Sequence, residues 1–377
     1  MTYFLIAGEA SGDLHAGNLI HVLKEKDKAA HFIGLGGDKM QQAGCRLVQH
    51  YRNMAFMGVI SVLANLRKVL QNFRIAKQTL LQTQPDVLIL IDYPSFNLKM
   101  AQFCKKHLPD TRIVYYIPPK VWAWKKWRIH KIAQLSDLIL GIFPFEPDFY
   151  AKYGYQCHYI GNPTMDSITE FEKTYQPAKK ENTNLIAILP GSRRSEISHC
   201  LPPMLTAARH IKERLKQDGK QCLITVTAAP GIEDSFYQSF ITDEQLTRNT
   251  YQTVSEATAA IVNSGTATLE TALLRCPQTA VYYVALSRYL GFLKPLIFSI
   301  PFFTLVNIIP GKEVIQELVA YRFNVKEIEK ETLRLLSDNT YRLNMLAQYE
   351  HIRQLLGTNP AADTAAEMIL QKFKSPK

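Results

Sequence analysis

The sequence predicts an α/β protein made of two doubly wound, parallel-sheet domains. Three observations carry that prediction. Apolar runs such as Tyr3–Ala7, Val87–Ile91 and Leu185–Leu189 are unbroken, as strands buried on both faces of a parallel sheet are. Helical patterns separate these runs along the chain. The series also starts twice, each time as strand, Gly/Ser loop and helix, which is how a doubly wound unit opens.

The elements follow in order. Tyr3–Ala7 ends at the loop Gly8–Asp13, and a helical pattern runs on to Leu23. His31–Ile33 is a second short strand. Val59–Leu81 reads as a long helix, with Val59, Leu63, Leu66, Leu70 and Phe73 at three- and four-residue spacing. Val87–Ile91 is a central strand with Asp92 at its end, and Ile113–Ile117, Leu138–Phe143 and His158–Ile160 are further strands. Gly161-Asn162-Pro163 breaks the series, and the polar stretch Lys173–Asn184 precedes the restart at Leu185. Leu223–Thr227, Ala259–Asn263 and Thr279–Val284 continue it as strands, while Val314–Ala320 and the segments beyond Lys326 read as helical. The boundaries are 1–165 for the first domain and 166–345 for the second, with 346–377 as closing helices free to pack back on the first. Ligands in this architecture sit at the carboxyl ends of strands, and the expected place is a cleft between the domains.

The chain has 377 residues, of which 47% are apolar and 20% charged, and this excludes a disordered, collagenous or coiled-coil protein. Its six cysteines lie far apart with no C-x-x-C, which excludes a disulfide scaffold or zinc module and fits reduced cytosolic thiols. The start, MTYFLIAGEASGD, lacks a basic segment before its apolar run and reads as a first strand rather than a signal peptide. No transmembrane helix is expected. The longest apolar candidate, Pro295–Gly311, is shorter than a span and interrupted by prolines, so it reads as buried or surface-apposed.

Charge is unevenly spread. The net charge is +11, and residues 1–165 hold 20 Lys/Arg against 11 Asp/Glu. From Lys39 to Pro85 there are seven bases and no acid, and from Thr111 to Ser136 six bases and no acid. The first half therefore attracts phosphates or anionic membranes.

Five constellations can carry chemistry. Gly8-Glu9-Ala10-Ser11-Gly12-Asp13 follows the first strand, where glycines allow close backbone approach and a helix N-terminus offers N–H groups. It is neither the dinucleotide fingerprint nor a P-loop; the plain alternative is a strand–helix turn capped by Ser11 or Asp13. Asp92 projects from the end of a central strand, where partial desolvation suits a general base, or else it makes an Asx turn before Pro94. Trp122, Trp124 and Trp127 lie beside Lys120, Lys125, Lys126 and Arg128, a mixture suited to sugar stacking, phosphate contact, a membrane interface or single-stranded nucleic acid. Gly191, Ser192 and Arg193 open a helix with a bidentate phosphate donor. Ser264, Gly265 and Thr266 open another, with Glu270 one turn on and placed to accept from ribose hydroxyls. Each of the last two loops alone is a helix cap; together they point to a nucleotide. The histidines show no metal-ligand spacing, and no serine-hydrolase elbow is present.

Taken together, GEASGD at 8–13, IDYPSFN at 91–97, VWAW at 121–124, LPGSR at 189–193 with Glu196, SGTATLE at 264–270 and NIIPGKEVIQEL at 307–318 resemble the lipid A disaccharide synthases. The resemblance covers almost the whole chain in the family's order. It implies two Rossmann-like domains of the GT-B fold and an inverting transfer of glucosamine from UDP-2,3-diacylglucosamine to 2,3-diacylglucosamine 1-phosphate (lipid X). The first domain would then face acceptor and membrane, and the second would bind the UDP-sugar. The same resemblance implies no metal or other cofactor, and a peripheral place on the cytoplasmic face of the inner membrane of Gram-negative bacteria. Position by position, it makes Asp92 the base and sets Gly191, Ser192, Arg193, Ser264, Gly265, Thr266 and Glu270 on UDP. Asn307 and Glu313 fall beside the donor, and Glu9, Ser11, Gly12, Asp13, Trp122 and Trp124 fall in donor or acceptor loops. Two departures stand out: Ser95 replaces the family's common Asp, and Pro118-Pro119-Lys120 replaces its usual Ser-Pro-Ser. A UDP-N-acetylglucosamine 2-epimerase of the same fold and a non-enzymatic binder of anionic lipid or nucleic acid are the competing readings. Paired nucleotide loops argue against the binder, and no nucleic acid is expected as a partner.

For the membrane, Met54, Phe56, Met57 and Ile60 lead into the Val59–Leu81 helix, which carries Arg67, Lys68, Arg74 and Lys77. Its apolar residues exceed one stripe, since Val62 and Val69 lie off the row of Leu63, Leu66, Leu70 and Phe73. The surplus is expected to face lipid, with the cations on anionic headgroups.

Overall fold

The computed structural model describes residues 1–54, 66–178, 183–283 and 301–373. The chain divides into two compact units, Met1–Pro163 together with Thr358–Lys377, and Thr164–Gly357. The first unit holds a seven-stranded sheet: β1 (Thr2–Ala7), β2 (His31–Gly36), β3 (Arg46–His50), β4 (Val87–Ile91), β5 (Arg112–Tyr116), β6 (Leu138–Gly141) and β7 (His158–Tyr159). Its order is β3-β2-β1-β4-β5-β6-β7, and all of its pairings are parallel. The second unit holds β8 (Thr183–Leu189), β9 (Gln221–Thr227), β10 (Gln245–Thr247), β11 (Ala259–Asn263), β12 (Gln278–Tyr282) and β13 (Glu317–Val319). They run β10-β9-β8-β11-β12-β13, again all parallel.

Burial on both faces explains the unbroken apolar runs. Tyr3, Leu5, Ala7, Ile89 and Ile91 pack with the helices Ala10–Lys26 and Ala361–Phe373 on one face of the first sheet. Phe4, Ile6, Leu88 and Leu90 pack on the other face with Ala76, Leu80, Phe96 and Met100. In the second unit the helix Arg194–Gln217 lays Ile197, Leu201, Leu205 and Ile211 over Ile186, Ile188 and Ile261.

Each sheet reverses its strand order once, at β1/β4 and at β8/β11. Ala7 pairs with Ile91 at the first reversal, and Leu189 with Val262 at the second, so the neighbouring strands end almost level. Helices leaving the two strands go to opposite faces and leave an uncovered crevice there.

Three elements differ from the expectation. Val314–Ala320 is not a helix, because Glu317–Val319 forms β13 on the edge beside β12. The Glu317 carboxylate accepts from the Phe303 and Thr304 N–H groups at 3.0 and 2.8 Å, which holds the segment extended. β3 and β10 are short, largely polar edge strands without an apolar run. The long basic helix is described over Leu66–Thr83, and there Leu70 is 59% exposed while Asn72, Ala76 and Leu80 are buried. Leu70 therefore belongs to the outward face with Arg67, Lys68 and Arg74 and not to the packed stripe. Phe56, Met57 and Ile60, and residues 295–300 of the Pro295–Gly311 segment, lie outside the described residues. The rest of that segment includes the short helix Leu305–Ile308, whose Leu305, Val306 and Asn307 are buried.

Candidate active site

The first switch point is built by the loops after β1, β4 and β5. Asp92 and Tyr93 both adopt left-handed backbone, at φ 41° and 42°, a conformation that costs a non-glycine residue roughly 1–3 kcal/mol. Asn97 holds this turn, because its Nδ2 donates to the Ile91 carbonyl at 3.1 Å and the Asp92 carbonyl at 2.8 Å. The Tyr115 hydroxyl donates to the Asp92 carbonyl at 2.9 Å, and the Asp92 N–H donates to the Ile117 carbonyl at 3.1 Å. Tyr93 reaches back, donating from its hydroxyl to the Met54 carbonyl at 2.9 Å. Its ring lies over Gly8, where any Cβ would collide with it.

Asp92 is an exposed residue at the end of β4, though the loops around it still crowd its carboxylate. That desolvation raises its carboxyl above the ordinary range, against the opposing pull of the Lys120 ammonium and the Tyr93 N–H. Lys120 is an exposed residue whose ammonium is nonetheless pushed down by local desolvation and pulled back by Asp92 and Glu146. Glu146 is buried, and desolvation pushes it up to about 7, although the Phe143 and Ile142 N–H groups and the Trp122 indole all donate to it.

The other residues singled out in this unit are placed as follows. Trp122 is buried, its Nε1 3.1 Å from Glu146, whereas Trp124 and Trp127 are 49% and 63% exposed. The Lys125 ammonium lies 4.0 Å from the Trp124 ring centre. Ser11 is exposed and Gly12 buried, with the Gly12 Cα facing Ala7 and Ile91. Glu9 lies close enough to Tyr93 to raise its phenol, though burial is the larger cause. Asp13 is buried and caps another helix: its carboxylate accepts from the N–H groups of Gly37 at 2.7 Å, Lys39 at 3.0 Å and Met40 at 3.1 Å. The structure thus groups Asp92 and Tyr93 with Asn97 and Tyr115, and ties Asp13 to the backbone beyond β2.

The second switch point joins the loops after β8 and β11. Gly191 has φ 124°, and a Cβ there would lie 2.8 Å from Asn263 Nδ2 and 2.9 Å from Glu196 Oε2. Glu196 shapes this loop by accepting from the Ser192 N–H at 3.0 Å and the Arg193 guanidinium at 3.0 Å. Arg193 remains 58% exposed at its side chain, free to exchange that partner for a phosphate. At the head of the helix Thr266–Leu273, Gly265 faces open space, and the Ser264 N–H donates to the Val281 carbonyl at 2.7 Å. Glu270 accepts from the Tyr251 hydroxyl at 3.0 Å, and burial raises its carboxyl. Asn307 is fully buried and internally bonded. Its Nδ2 donates to the Ile315 carbonyl at 2.9 Å, and its Oδ1 accepts from the Val314 and Ile315 N–H groups at 2.7 and 3.0 Å. It therefore fixes the loop on which Glu313 stands exposed.

Asn97, Lys120, Glu146, Tyr251 and Glu317 complete these sites and went unassigned in the sequence reading. Asn97 and Glu317 lay inside quoted motifs and Lys120 directly before one, while Glu146 and Tyr251 carry no local signal. Among the described residues, no group of three or more His, Cys, Asp or Glu is placed to hold a metal ion. No described helix is long and apolar enough to cross a membrane.

Known proteins bear on this arrangement. A family model for lipid-A-disaccharide synthetase matches residues 3–373. The lipid-A-disaccharide synthase of Syntrophus aciditrophicus is 35% identical, with 98% of this chain and 97% of that protein covered. That of Myxococcus xanthus is 33% identical over 97% and 96%. In fold, the chain is similar to the UDP-GlcNAc 2-epimerase of Neisseria meningitidis bound to UDP-GlcNAc. That likeness has a TM-score of 0.64 at 11% identity and covers 98% of this chain and all of the other. A glycosyltransferase of kitacinnamycin gives a TM-score of 0.61 at 9% identity over 99% of both chains. At such identities these two likenesses show the fold alone.

Proposed function

The chain belongs to the lipid-A-disaccharide synthetase family, and from that premise we propose the chemistry of its two switch points. It is a glycosyltransferase with two parallel-sheet units of the GT-B type; the epimerases share its fold, while the family match carries the transferase reading. The donor is UDP-2,3-diacylglucosamine and the acceptor 2,3-diacylglucosamine 1-phosphate. The acceptor's 6-hydroxyl attacks C1 of the donor sugar from the face opposite UDP, and the Asp92 carboxylate takes the hydroxyl proton. The C1–O bond to the diphosphate breaks, and its electron pair leaves with UDP. The products are the β-1,6 disaccharide 1-phosphate and UDP. Arg193 meets the diphosphate, Ser264, Gly265 and Thr266 cradle it, and Glu270 accepts from the ribose.

The observation that supports this reading most is the coincidence of motif and topology. The loops after β1, β4, β8 and β11 are the strand-end loops beside the two reversals of strand order, and each carries one of the motifs. In this reading the outward face of Leu66–Thr83, with the apolar residues that precede it in sequence, docks on an anionic bilayer, which suits two acylated substrates and a peripheral enzyme on the cytoplasmic face of the inner membrane. The test is incubation with both lipids and mass spectrometry of the products. Acylated disaccharide 1-phosphate with equimolar UDP is expected. UDP with free diacylglucosamine, or an epimerised donor, would overturn the reading.

A further inference from the structure

Trp127 is the tryptophan that the fold turns furthest outward, and the loop that carries it is pinned at both ends. Val121 and Trp122 are buried before it, Ile129 is buried after it, and the Trp122 indole donates to Glu146 at 3.1 Å. Between those pins Lys125 takes left-handed backbone, at φ 54°, and its carbonyl accepts from the Arg128 N–H at 2.9 Å. The Lys125 ammonium sits over the Trp124 ring, 4.0 Å from its centre. Trp127 stays 63% exposed, with the Arg128 guanidinium 5.5 Å from its ring centre.

The charge around Trp127 identifies what meets it. Three neighbouring helices, Leu66–Thr83, Pro94–His107 and Arg128–Leu135, pack on the same face of the first sheet through Ala76 and Leu80, Met100 and Cys104, and Ile129 and Ile132. Together they hold nine Lys/Arg and no Asp/Glu. The opposite face is mixed: Ala10–Lys26 and Ala361–Phe373 carry Asp13, Glu25, Asp363 and Glu367 among their cations. Each of the three helices leads into a strand of a parallel sheet, and so starts at the carboxyl end of the strands, where Asp92 stands. Exposed Arg67, Lys68 and Leu70 on the first helix, and exposed Lys126 and Trp127 at the head of the third, therefore share one end of one face. Pro94–His107 lies between them, which sets the two groups roughly 16–20 Å apart, two interhelical spacings.

We propose that Trp127 is a bilayer anchor, its indole seated at the headgroup level of an anionic membrane while Arg67, Lys68 and Lys126 meet the lipid phosphates. The inference rests on the bilayer docking proposed above and extends it from one helix to the whole acid-free face. Indoles settle at the membrane–water interface, where the ring is apolar and its N–H finds a partner. Cations near the surface gain from anionic lipid. A single helix leaves the unit free to rock on the membrane; a second contact across the intervening helix fixes its tilt and turns the Asp92 end toward the lipid surface.

The experiment uses phosphatidylglycerol–phosphatidylcholine vesicles with plain or brominated acyl chains, and reads sedimentation and tryptophan emission. The chain has three Trp, and Trp122 is buried against Glu146, so emission reports on few sites. The wild type is expected to sediment and to lose emission to brominated lipid. Trp127→Phe still sediments but loses most of that quenching, whereas Trp124→Phe keeps it. Trp127→Ser partitions roughly tenfold more weakly at unchanged Tm, because an indole partly withdrawn from water is removed. If Trp127→Ser does not fold, the quenching of Trp127→Phe decides alone. Sedimentation of the wild type without quenching, quenching that survives in Trp127→Phe, or wild-type partitioning by folded Trp127→Ser each overturns the proposal and leaves the docking of Leu66–Thr83 standing. A wild type that does not sediment with these vesicles removes the docking reading itself, and the anchor with it.

Discussion

Gly8→Ala is a change of one methyl group that the first switch point cannot absorb. A Cβ built at Gly8 lies 2.5 Å from Cδ1 and 2.7 Å from Cδ2 of Tyr93, and closer still to Cγ. Carbon atoms rest at about 3.5–4.0 Å, so the ring has to retreat by about 1 Å. It has no slack in which to do so. Tyr93 stacks on Phe96 at 5.5 Å, its hydroxyl is tied to the Met54 carbonyl, and its backbone shares the left-handed turn with Asp92. Overpacking of this kind costs about 1–3 kcal/mol. For a unit of roughly 150–250 residues that corresponds to a fall in Tm of ~2–12 °C. A shift of about 1 Å at a catalytic group is also enough to cost up to ~10²-fold in rate. Thermal unfolding and kcat for disaccharide formation, measured on Gly8→Ala beside the wild type, read the two effects separately. A variant with wild-type Tm and wild-type kcat would show that the Tyr93 ring is not confined, and that Asp92 is not positioned through it.

Three further outcomes are expected. Glu270→Ala should weaken UDP binding by roughly 1.5–3 kcal/mol in calorimetry, and Arg193→Ala by less, because free Arg193 is already engaged by Glu196; unchanged affinity in both would move the nucleotide elsewhere. Glu146, carried from 4.5 to about 7 by burial, holds a proton in the folded chain that the unfolded chain lacks between those values, so stability falls as pH rises through that window. Glu146→Gln should lose that slope between pH 5 and pH 8 in thermal unfolding, and an unaltered slope would mean that Glu146 does not titrate there. Combined Met57→Ser, Ile60→Ser, Arg67→Glu and Lys68→Glu should release the enzyme from anionic vesicles in co-sedimentation, each lost cation being worth ~1 kcal/mol; full retention by the folded variant would point to the Pro295–Gly311 segment instead.

What the sequence made legible follows from burial. β1, β4, β8 and β11 are central strands covered on both faces, so every residue of their cores is apolar and the runs are unmistakable. β3, β10 and β13 sit at sheet edges, where only alternate residues need to be buried, and β13 passed for a helix because the Glu317 contacts that extend it come from Phe303 and Thr304. The glycines of both loops were visible, but their reasons were not. Gly8 answers to Tyr93 and Gly191 to Asn263, contacts that exist only once neighbouring strands are paired. The partners of Asp13 are hidden for the same reason: it stands in the loop after β1, yet the helix whose N–H groups it accepts from begins beyond β2. Trp122 and Glu146 belong to different loops, and nothing local in either marks the hydrogen bond between them.

The division of labour between the switch points also has a physical basis. Ala10–Lys26, leaving β1, packs on one face of the first sheet, and Pro94–His107, leaving β4, packs on the other. The strand ends between them stay uncovered, so Asp92 is partly desolvated by the flanking loops without being sealed off. That is what a base needs: enough burial to raise its affinity for a proton, and an open edge for the hydroxyl that supplies one. At β8/β11 the same topology is furnished with the small residues Gly191, Ser192, Ser264, Gly265 and Thr266, and on the proposed reading an anion there competes with Glu196 for the Ser192 and Arg193 N–H groups. The carboxylates there are already occupied, Glu196 by its own loop and Glu270 by Tyr251, and so do not repel a diphosphate as freely as an unpaired acid would. On the proposed reading, exchanging the furnishings defeats both halves: a carboxylate at the proposed anion cradle expels the donor, and a glycine at position 92 leaves the hydroxyl proton without an acceptor.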